Sequence, residues 1–198
     1  MKCVGFALTL LLSANCFGKP DIRCVNTYLK NLKYLAAEFS QTSDLPRKLT
    51  CSGNMYMSKD KDEKKNKAVN KAKIEYTDPK YRNILIRDDI ITTTDQRTGK
   101  RGSHSISRNS IYSILKGDID LSKENCSLRG GIGNTLEVTV SISKESSITL
   151  LFSKYSNGNI KNLEGWTIRE SNGNEICLRF VKGKFFVNDK TKIPDGIF

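Results

Sequence analysis

The stretch Lys71–Gln96, KAKIEYTDPKYRNILIRDDIITTTDQ, indicates how this chain folds. Three of its segments, 73–77, 81–87 and 90–95, are strand-like, and in 73–77 apolar and polar residues alternate, so that Ile74 and Tyr76 fall on one face. Such alternation is typical of half-buried β-strands. The connections are short, and the last one consists of Asp88 and Asp89 alone. Because connections of this length join neighbouring antiparallel strands, the stretch predicts part of an antiparallel meander.

Strand signals continue on both sides of the meander. Residues 49–57 precede it and place Met55 and Met57 on one face, and the cleanest alternation follows at residues 135–143. Two Asn-Gly-Asn turns separate the later strands. The chain therefore predicts a mainly β (α+β) fold with about ten or eleven antiparallel strands, a number at which a twisted sheet curls into an incomplete barrel.

Two amphipathic helices interrupt the strand pattern. The first has apolar residues at the three-and-four spacing of one helical face: Val25, Tyr28, Leu29, Leu32, Leu35, Ala36 and Phe39. It is predicted to span about four turns and to end before Pro46. The second is short, with Asn109 or Ser110 as its N-cap and Gly117 as its end. Packed against the apolar face of the sheet, the helices would form a lid.

The first 18 residues have the pattern of a secretory signal peptide. Lys2 gives a positive start, Val4–Leu12 an apolar core too short to span a bilayer, and Gly18 a small residue at the exit. We therefore expect export with cleavage near Gly18. The mature chain, residues 19–198, is expected to form one domain.

Export bears on the cysteines, because an exported chain can form disulfides. Four cysteines follow the signal: Cys24, Cys51, Cys126 and Cys177. They predict either two disulfides, with three possible pairings, or buried thiols. None has the spacing of a metal site and His104 is the only histidine, so we expect no metal, no cofactor and no catalytic residue.

The chain is strongly basic, with 33 lysine and arginine residues against 21 acidic ones. Its densest charged run, Ser58–Lys73, mixes both signs, which predicts a solvated hairpin loop. The alternative is an arm that binds polyanions or an anionic membrane surface. Nucleic acid is not an expected partner, because the chain is expected to leave the cytoplasm.

The order of several short motifs resembles the LolA family of periplasmic carriers of outer-membrane lipoproteins. The early motifs are FSQ (39–41), CSGNMYM (51–57), KIEYTDP (73–79) and LIRDDIITTTDQ (85–96). Two late segments also fit: LEGWTIRESNGNEICLRF (163–180) and FFVNDKTKIPDGIF (185–198). The resemblance covers nearly the whole mature chain. It implies an incomplete antiparallel β-barrel with a helical lid, located in the periplasm.

The resemblance also implies a cavity that holds the acyl chains of lipoproteins on their way from the inner to the outer membrane. The implied partners are acylated lipoproteins, an inner-membrane ABC-type release complex, and an outer-membrane acceptor lipoprotein or the outer membrane itself. A monomer without enzymatic activity is expected. The candidate cavity residues are Leu32, Leu35, Met55, Met57, Ile74, Tyr76, Leu85, Ile91, Ile114 and Leu115. For each of them, ordinary core packing is the alternative.

Two departures from the family pattern concern the lid. An arginine of the family is thought to hold the lid by bonding to helix carbonyls, and Ser58–Lys73 contains none. The resemblance therefore implies Lys73, or another lysine of that run, in this role. An ammonium does not reproduce the guanidinium fork, so we expect the lid to open more easily. Asp88-Asp89 stands where Asp-Gly is usual, so the turn is expected to differ.

Two other functions fit the same sequence. A lipid-sensing or protein-interaction module of this fold would keep its lid packed shut and bind a protein. A basic membrane-surface binder would act through the lysine run and lose affinity steeply with salt. Neither would have a transport role.

Overall fold

The computed structural model describes residues 21–44, 48–62, 67–106, 110–131 and 133–198. The predicted signal peptide, residues 1–18, lies outside the described residues. Eleven strands form one antiparallel sheet in the order β6-β5-β4-β3-β2-β1-β11-β10-β9-β8-β7. The sheet does not close into a barrel, and β6 and β7 stand at its two ends. The predicted incomplete barrel with a helical lid is confirmed.

The elements follow the chain in a simple order. The first seven strands are β1 (Tyr34–Ser43), β2 (Leu49–Asp62), β3 (Lys67–Asp78), β4 (Arg82–Arg87), β5 (Ile90–Asp95), β6 (Arg101–Ser105) and β7 (Cys126–Gly130). The last four are β8 (Thr135–Ser141), β9 (Ser147–Lys154), β10 (Ile160–Arg169) and β11 (Glu175–Val187). The helices are α1 (Ile22–Asn31) and α2 (Ile111–Lys116), with single 3₁₀ turns at Leu121–Lys123 and Lys190–Lys192.

One face of the sheet, here called the inner face, carries the buried core. In β8, Leu136, Val138 and Val140 are buried while the residues between them are half-exposed. The same period of two runs through β9, where Ile148, Leu150 and Phe152 are buried. The opposite face, here called the outer face, carries the intervening residues. Turn signals and alternation in the sequence therefore predicted these strands correctly.

The first helix is shorter than predicted. It ends at Asn31, and the apolar residues Leu35 and Phe39 belong to strand β1. The side chain of Asn188 fixes this boundary: its Nδ2 donates to the carbonyl of Asn31 at 3.0 Å, and its Oδ1 accepts from the Lys33 amide at 2.7 Å. Because β1 pairs with both β2 and β11, sheet hydrogen bonds replace the helical ones that the spacing had suggested.

The lysine-rich run Ser58–Lys73 is largely strand rather than the predicted solvated loop. Strand β2 continues to Asp62 and β3 begins at Lys67, with Lys59 opposite Asn70 in the register. Residues 63–66 lie outside the described residues. The sequence does not show these strands, because polar and charged residues fill most positions of the run and apolar residues do not alternate with them.

The short turns agree with the sequence. Asp88 and Asp89 connect β4 to β5 with φ angles of 45° and 71°. Left-handed φ at both central residues is typical of a type I′ hairpin turn, and aspartate tolerates this region better than most residues. Helix α2 begins with Ser110 as its N-cap, whose Oγ accepts from the Ser113 amide at 3.1 Å, and it ends at Gly117 with φ 74°. Both predicted caps are confirmed.

The cysteines do not form two disulfides among themselves. Cys51, Cys126 and Cys177 are free thiols, while Cys24 is disulfide-bonded. Burial raises the pKa of the Cys51 thiol, and that of Cys126 to about 11. The structure therefore places these three cysteines as thiols within the sheet.

Candidate functional site

Both helices lie on the inner face of the sheet and cover its apolar core. Val25 and Leu29 of α1 are fully buried, and so are Ile114 and Leu115 of α2. The two helices touch at Gly117, where an added Cβ would lie 3.2 Å from the Leu29 carbonyl oxygen. The absence of a side chain at Gly117 thus allows this close approach. Together α1 and α2 form the predicted lid.

A lysine of strand β2 holds the end of the first lid helix. Lys59 Nζ donates to the carbonyl oxygen of Leu29 at 2.9 Å. This carbonyl belongs to the last turn of α1, where it also accepts a hydrogen bond from the Leu32 amide at 3.3 Å. Burial lowers the pKa of Lys59 to about 8. The contact therefore stabilises the closed lid at the cost of burying a cation.

A second lysine holds α2 against the sheet. Lys116 Nζ lies 2.8 Å from Asp89 Oδ1 and 2.7 Å from Asp118 Oδ2, and its side chain is only 8% exposed. Asp89 is the second residue of the β4–β5 turn. The aspartate that replaces the usual glycine there thus provides the carboxylate that anchors α2.

Helix α1 is attached at two further points. Asn26 Nδ2 donates to Asp120 Oδ1 at 2.7 Å, and Asn26 Oδ1 accepts from the Leu121 amide at 3.0 Å. The hydroxyl oxygen of Tyr28 accepts from the Leu163 amide of β10 at 3.0 Å, and burial raises the pKa of Tyr28 to about 12. A few polar contacts thus position a lid whose underside is apolar.

A half-open cavity of about 710 Å³ lies beside α1, at the ends of β10 and β11. Leu32, Ile160 and Val187 give it an apolar floor, and Asn31, Asn159 and Asn188 give it neutral polar groups. Arg23, Cys24, Thr27 and Tyr28 complete the lining. The volume is within the usual range of pockets for small ligands. The cavity is therefore large enough to receive part of a small ligand beside its apolar floor.

Nine of the ten candidate cavity residues lie on the inner face or in the lid. Seven are buried: Leu32, Leu35, Met55, Met57, Tyr76, Ile114 and Leu115. Ile74 and Ile91 are half-buried against the same core. Leu35 reaches it from strand β1 rather than from the lid. Of the ten, Leu32 alone is among the residues that line the 710 Å³ cavity.

Leu85 is the exception. It lies between Ile84 and Ile86, both of which belong to the inner-face core, so alternation places Leu85 on the outer face. Its partners in the register are Lys73 and Thr92. The prediction of Leu85 as a cavity residue is wrong. Residues 84–86 are all apolar, so the sequence did not show which of them point to the inner face.

The lid contact predicted for Lys73 is made by Lys59 instead. Lys73 forms an ion pair with Glu75 at 2.7 Å, and it shares the outer face with Leu85. Lys59 follows Met55 and Met57 at the same two-residue spacing along β2, so its side chain points to the same inner face, below α1. The sequence analysis left open that another lysine of Ser58–Lys73 makes this contact. The two-residue spacing of Lys59 from Met57 in the same strand is the signal that identifies it.

Several residues of the site had no sequence signal. Asn26, Tyr28 and Asn188 fix the lid through long-range hydrogen bonds. Ile160 and Val187 belong to strands far along the chain that meet α1 only in the folded sheet. In the described part of the chain, no group of three or more His, Cys, Asp or Glu side chains could hold a metal ion. The described helices are all too short or too polar to cross a membrane.

The chain thus forms an open antiparallel sheet with two helices over its apolar face. No family model and no curated protein matches the chain. Solved structures do: a DUF1329 family protein from Desulfovibrio piger is similar with a TM-score of 0.50 and 12% identity, over 85% of this chain and 92% of that one.

Two further solved structures are similar to this chain. One is a domain assigned to outer membrane lipoprotein sorting from Vibrio parahaemolyticus, with a TM-score of 0.49, 9% identity, and coverage of 88% and 93%. The other is a LolA superfamily protein from Nitrosomonas europaea, with a TM-score of 0.44, 10% identity, and coverage of 89% and 94%. At identities of 9–12%, these similarities show the fold alone.

Proposed function

We propose that the protein is a carrier that shields the acyl chains of lipoproteins beneath its lid. The observation that supports this proposal is the half-open cavity beside α1, whose floor is apolar, next to a largely apolar lid interior. Each methylene group removed from water contributes about 0.8 kcal/mol. A cargo with long acyl chains therefore needs such a shield to cross an aqueous compartment.

The lid contacts support reversible binding. Lys59, Lys116 and Asn26 hold the helices by a few polar contacts, whereas the surfaces beneath are apolar and non-directional. An acyl chain that enters beside Leu32 can separate α1 from the sheet and take the place of its apolar side chains. On release, the same side chains close over the core again, so the cargo leaves without breaking strong directional bonds.

The carrier would act between the two membranes of the cell envelope. Export to the periplasm, delivery from an inner-membrane release complex, and transfer to an outer-membrane acceptor follow from the motif resemblance. The carrier role requires no catalytic group.

Binding of a fluorescent acyl chain tests the proposal. Ile160→Trp would fill the cavity beside α1 without adding charge, and we expect it to weaken binding about tenfold or more. Val181→Trp is the matched control, because Val181 is 39% exposed and does not line the cavity. Equal affinities for the two variants and the parent chain would reject this cavity as the acyl site.

A second function is favoured by one specific observation. The interior below α2 is filled by its own side chains, with Ile114 and Leu115 at 0% and 1% exposure. A module that keeps its lid shut and binds a protein or senses a lipid would look the same. Stoichiometric acyl binding separates a carrier from a module that binds a protein, because a permanently closed module would take up no chain.

A further inference from the structure

The outer face carries three aromatic rings that each lie beside a lysine. Lys190 Nζ is 5.8 Å from the centre of the Tyr34 ring, and Lys192 Nζ is 5.0 Å from that of Phe186. Lys71 Nζ is 5.9 Å from the ring of Phe198. We call these six residues, together with Tyr56, the basic aromatic surface. Its members come from four strands and the C-terminal segment.

The sheet register brings these residues together. Ala36 pairs with Phe186 on one side and with Tyr56 on the other, so the two rings flank a small residue. A shallow hollow of about 250 Å³ lies there, with Lys184 and Lys192 at its rim. Phe186 is 37% exposed, which is high for a phenylalanine. Glu38 and Asn54 also line the hollow, which therefore presents apolar area beside two lysines and one carboxylate.

A second hollow lies along the C-terminal segment. It measures about 240 Å³, and Ile193, Ile197 and Phe198 contribute its apolar side. Tyr34, Lys71 and Lys190 form the opposite side. Half-buried aliphatic groups thus alternate with lysines over one continuous part of the outer face.

Three carboxylates of this region have polar partners, and a fourth, Asp195, lines the second hollow. Glu38 forms an ion pair with Lys184 at 3.2 Å, and Glu75 forms one with Lys73 at 2.7 Å. The Asp189 carboxylate accepts hydrogen bonds from Thr191. Within the described residues, Lys71, Lys190 and Lys192 form no ion pair, although Lys192 is near enough to Asp189 to help lower the pKa of that carboxyl. The charges of Lys71 and Lys190 in particular can therefore attract an anionic partner.

We propose that the basic aromatic surface docks the protein on an anionic lipid bilayer. Tyrosine and phenylalanine side chains enter the interfacial layer of a membrane, and each nearby lysine adds attraction to acidic head groups. A single-stranded nucleic acid needs open ring faces for stacking, but a lysine lies over each of three rings. The combination of exposed apolar groups and unpaired lysines fits a bilayer better than a polyanion in solution.

The basic aromatic surface and the lid lie on opposite faces of the sheet. The surface is on the outer face, whereas α1 and α2 cover the inner face. Docking would therefore leave the lid free to open. The docking proposal does not depend on the acyl-carrier proposal, since no lid or cavity residue takes part in it.

Co-sedimentation with vesicles tests the docking. The triple variant Lys71→Gln, Lys190→Gln, Lys192→Gln is compared with a control that loses the same charge elsewhere: Lys80→Gln, Lys100→Gln, Lys144→Gln. On vesicles with about 30% phosphatidylglycerol in phosphatidylcholine at low salt, the first variant should bind about a hundredfold more weakly than the parent chain. The control should lose clearly less, and thermal unfolding shows whether each variant folds.

Further comparisons separate the partners. Phe186→Ser should weaken binding to the anionic vesicles but leave the salt dependence unchanged, because the ring carries no charge. Binding to pure phosphatidylcholine at the same strength would overturn the proposal. So would an equal loss in the two triple variants, or heparin binding that matches vesicle binding and is unaffected by Phe186→Ser, which would show a general polyanion effect.

Discussion

Lys59 of the sheet donates a hydrogen bond to Leu29 of the lid, with 2.9 Å between Nζ and the carbonyl oxygen. The contact joins the second strand to the last turn of α1, in the place where the family resemblance implied an arginine. A single ammonium satisfies one helix carbonyl here, whereas a guanidinium offers five donors. The lid is therefore held by a weaker contact than an arginine would provide.

Removing this contact should loosen α1. In Lys59→Met the aliphatic stem is kept and the donor to Leu29 is lost, so we expect backbone amides of residues 22–31 to exchange about tenfold faster. Hydrogen exchange followed by mass spectrometry measures this. Lys73→Met is the control, since Lys73 lies on the outer face and pairs with Glu75. Equal exchange in both variants would show that Lys59 does not hold the lid.

The lid should also respond to pH. Burial lowers the pKa of Lys59 to about 8, and opening the lid would return it towards its ordinary value of 10.5. Between these two values the closed form binds fewer protons than the open form, so raising the pH favours closure. Below about pH 8 both forms are protonated and the effect vanishes.

Hydrogen exchange also measures this pH effect. We expect protection factors in α1, corrected for intrinsic exchange, to be higher at about pH 9.5 than at about pH 7.5. The increase should disappear in Lys59→Met. Protection that falls as the pH rises in the parent chain, but not in the variant, would mean that deprotonation of Lys59 opens the lid instead of closing it.

The Lys116–Asp89 ion pair should stabilise α2. Asn tolerates the left-handed φ of 71° at position 89 but cannot form the ion pair, so Asp89→Asn isolates its contribution. Asp89 is 64% exposed at its side chain, so we expect a loss of only about 0.5 kcal/mol in unfolding free energy. Asp88→Asn in the same turn is the control, and an equal loss there would attribute the effect to the turn. Chemical denaturation measures both.

Two buried tyrosines allow a matched comparison of how a hydroxyl group affects the free energy of unfolding. The hydroxyl of Tyr112 is buried and has no hydrogen-bond partner among the described residues, whereas that of Tyr28 accepts from Leu163. Tyr112→Phe should leave the unfolding free energy unchanged or raise it by about 1 kcal/mol. Tyr28→Phe should lower it by about 1 kcal/mol, because a buried amide loses its acceptor. A loss in Tyr112→Phe as large as in Tyr28→Phe would mean that an unseen partner binds Tyr112.

Much of the fold could be predicted because its signals are local. Alternation in 135–141 and the turn at Asp88-Asp89 depend on a few neighbouring residues. The first helix was extended too far because residues 25–39 satisfy helical spacing, while Leu35, Ala37 and Phe39 also alternate as a strand. Pairing with two neighbouring strands decided between the patterns, and the sequence does not show that pairing.

The site was predictable in part for the same reason. Met55, Met57 and Tyr76 were placed correctly on the buried face because their strands have a clear phase. The cavity beside α1 was missed, since Ile160 and Val187 reach it only through the order of strands in the sheet. Long-range geometry of this kind leaves no local pattern.

Uptake of acyl chains is the property on which the proposed carrier function depends, and native mass spectrometry of the purified chain with a triacylated peptide measures it. We expect one peptide bound per chain, displaced by excess free peptide and weakened in Ile160→Trp but not in Val181→Trp. A spectrum that shows only the unliganded mass, at peptide concentrations that saturate a known acyl-binding protein, would contradict the carrier function.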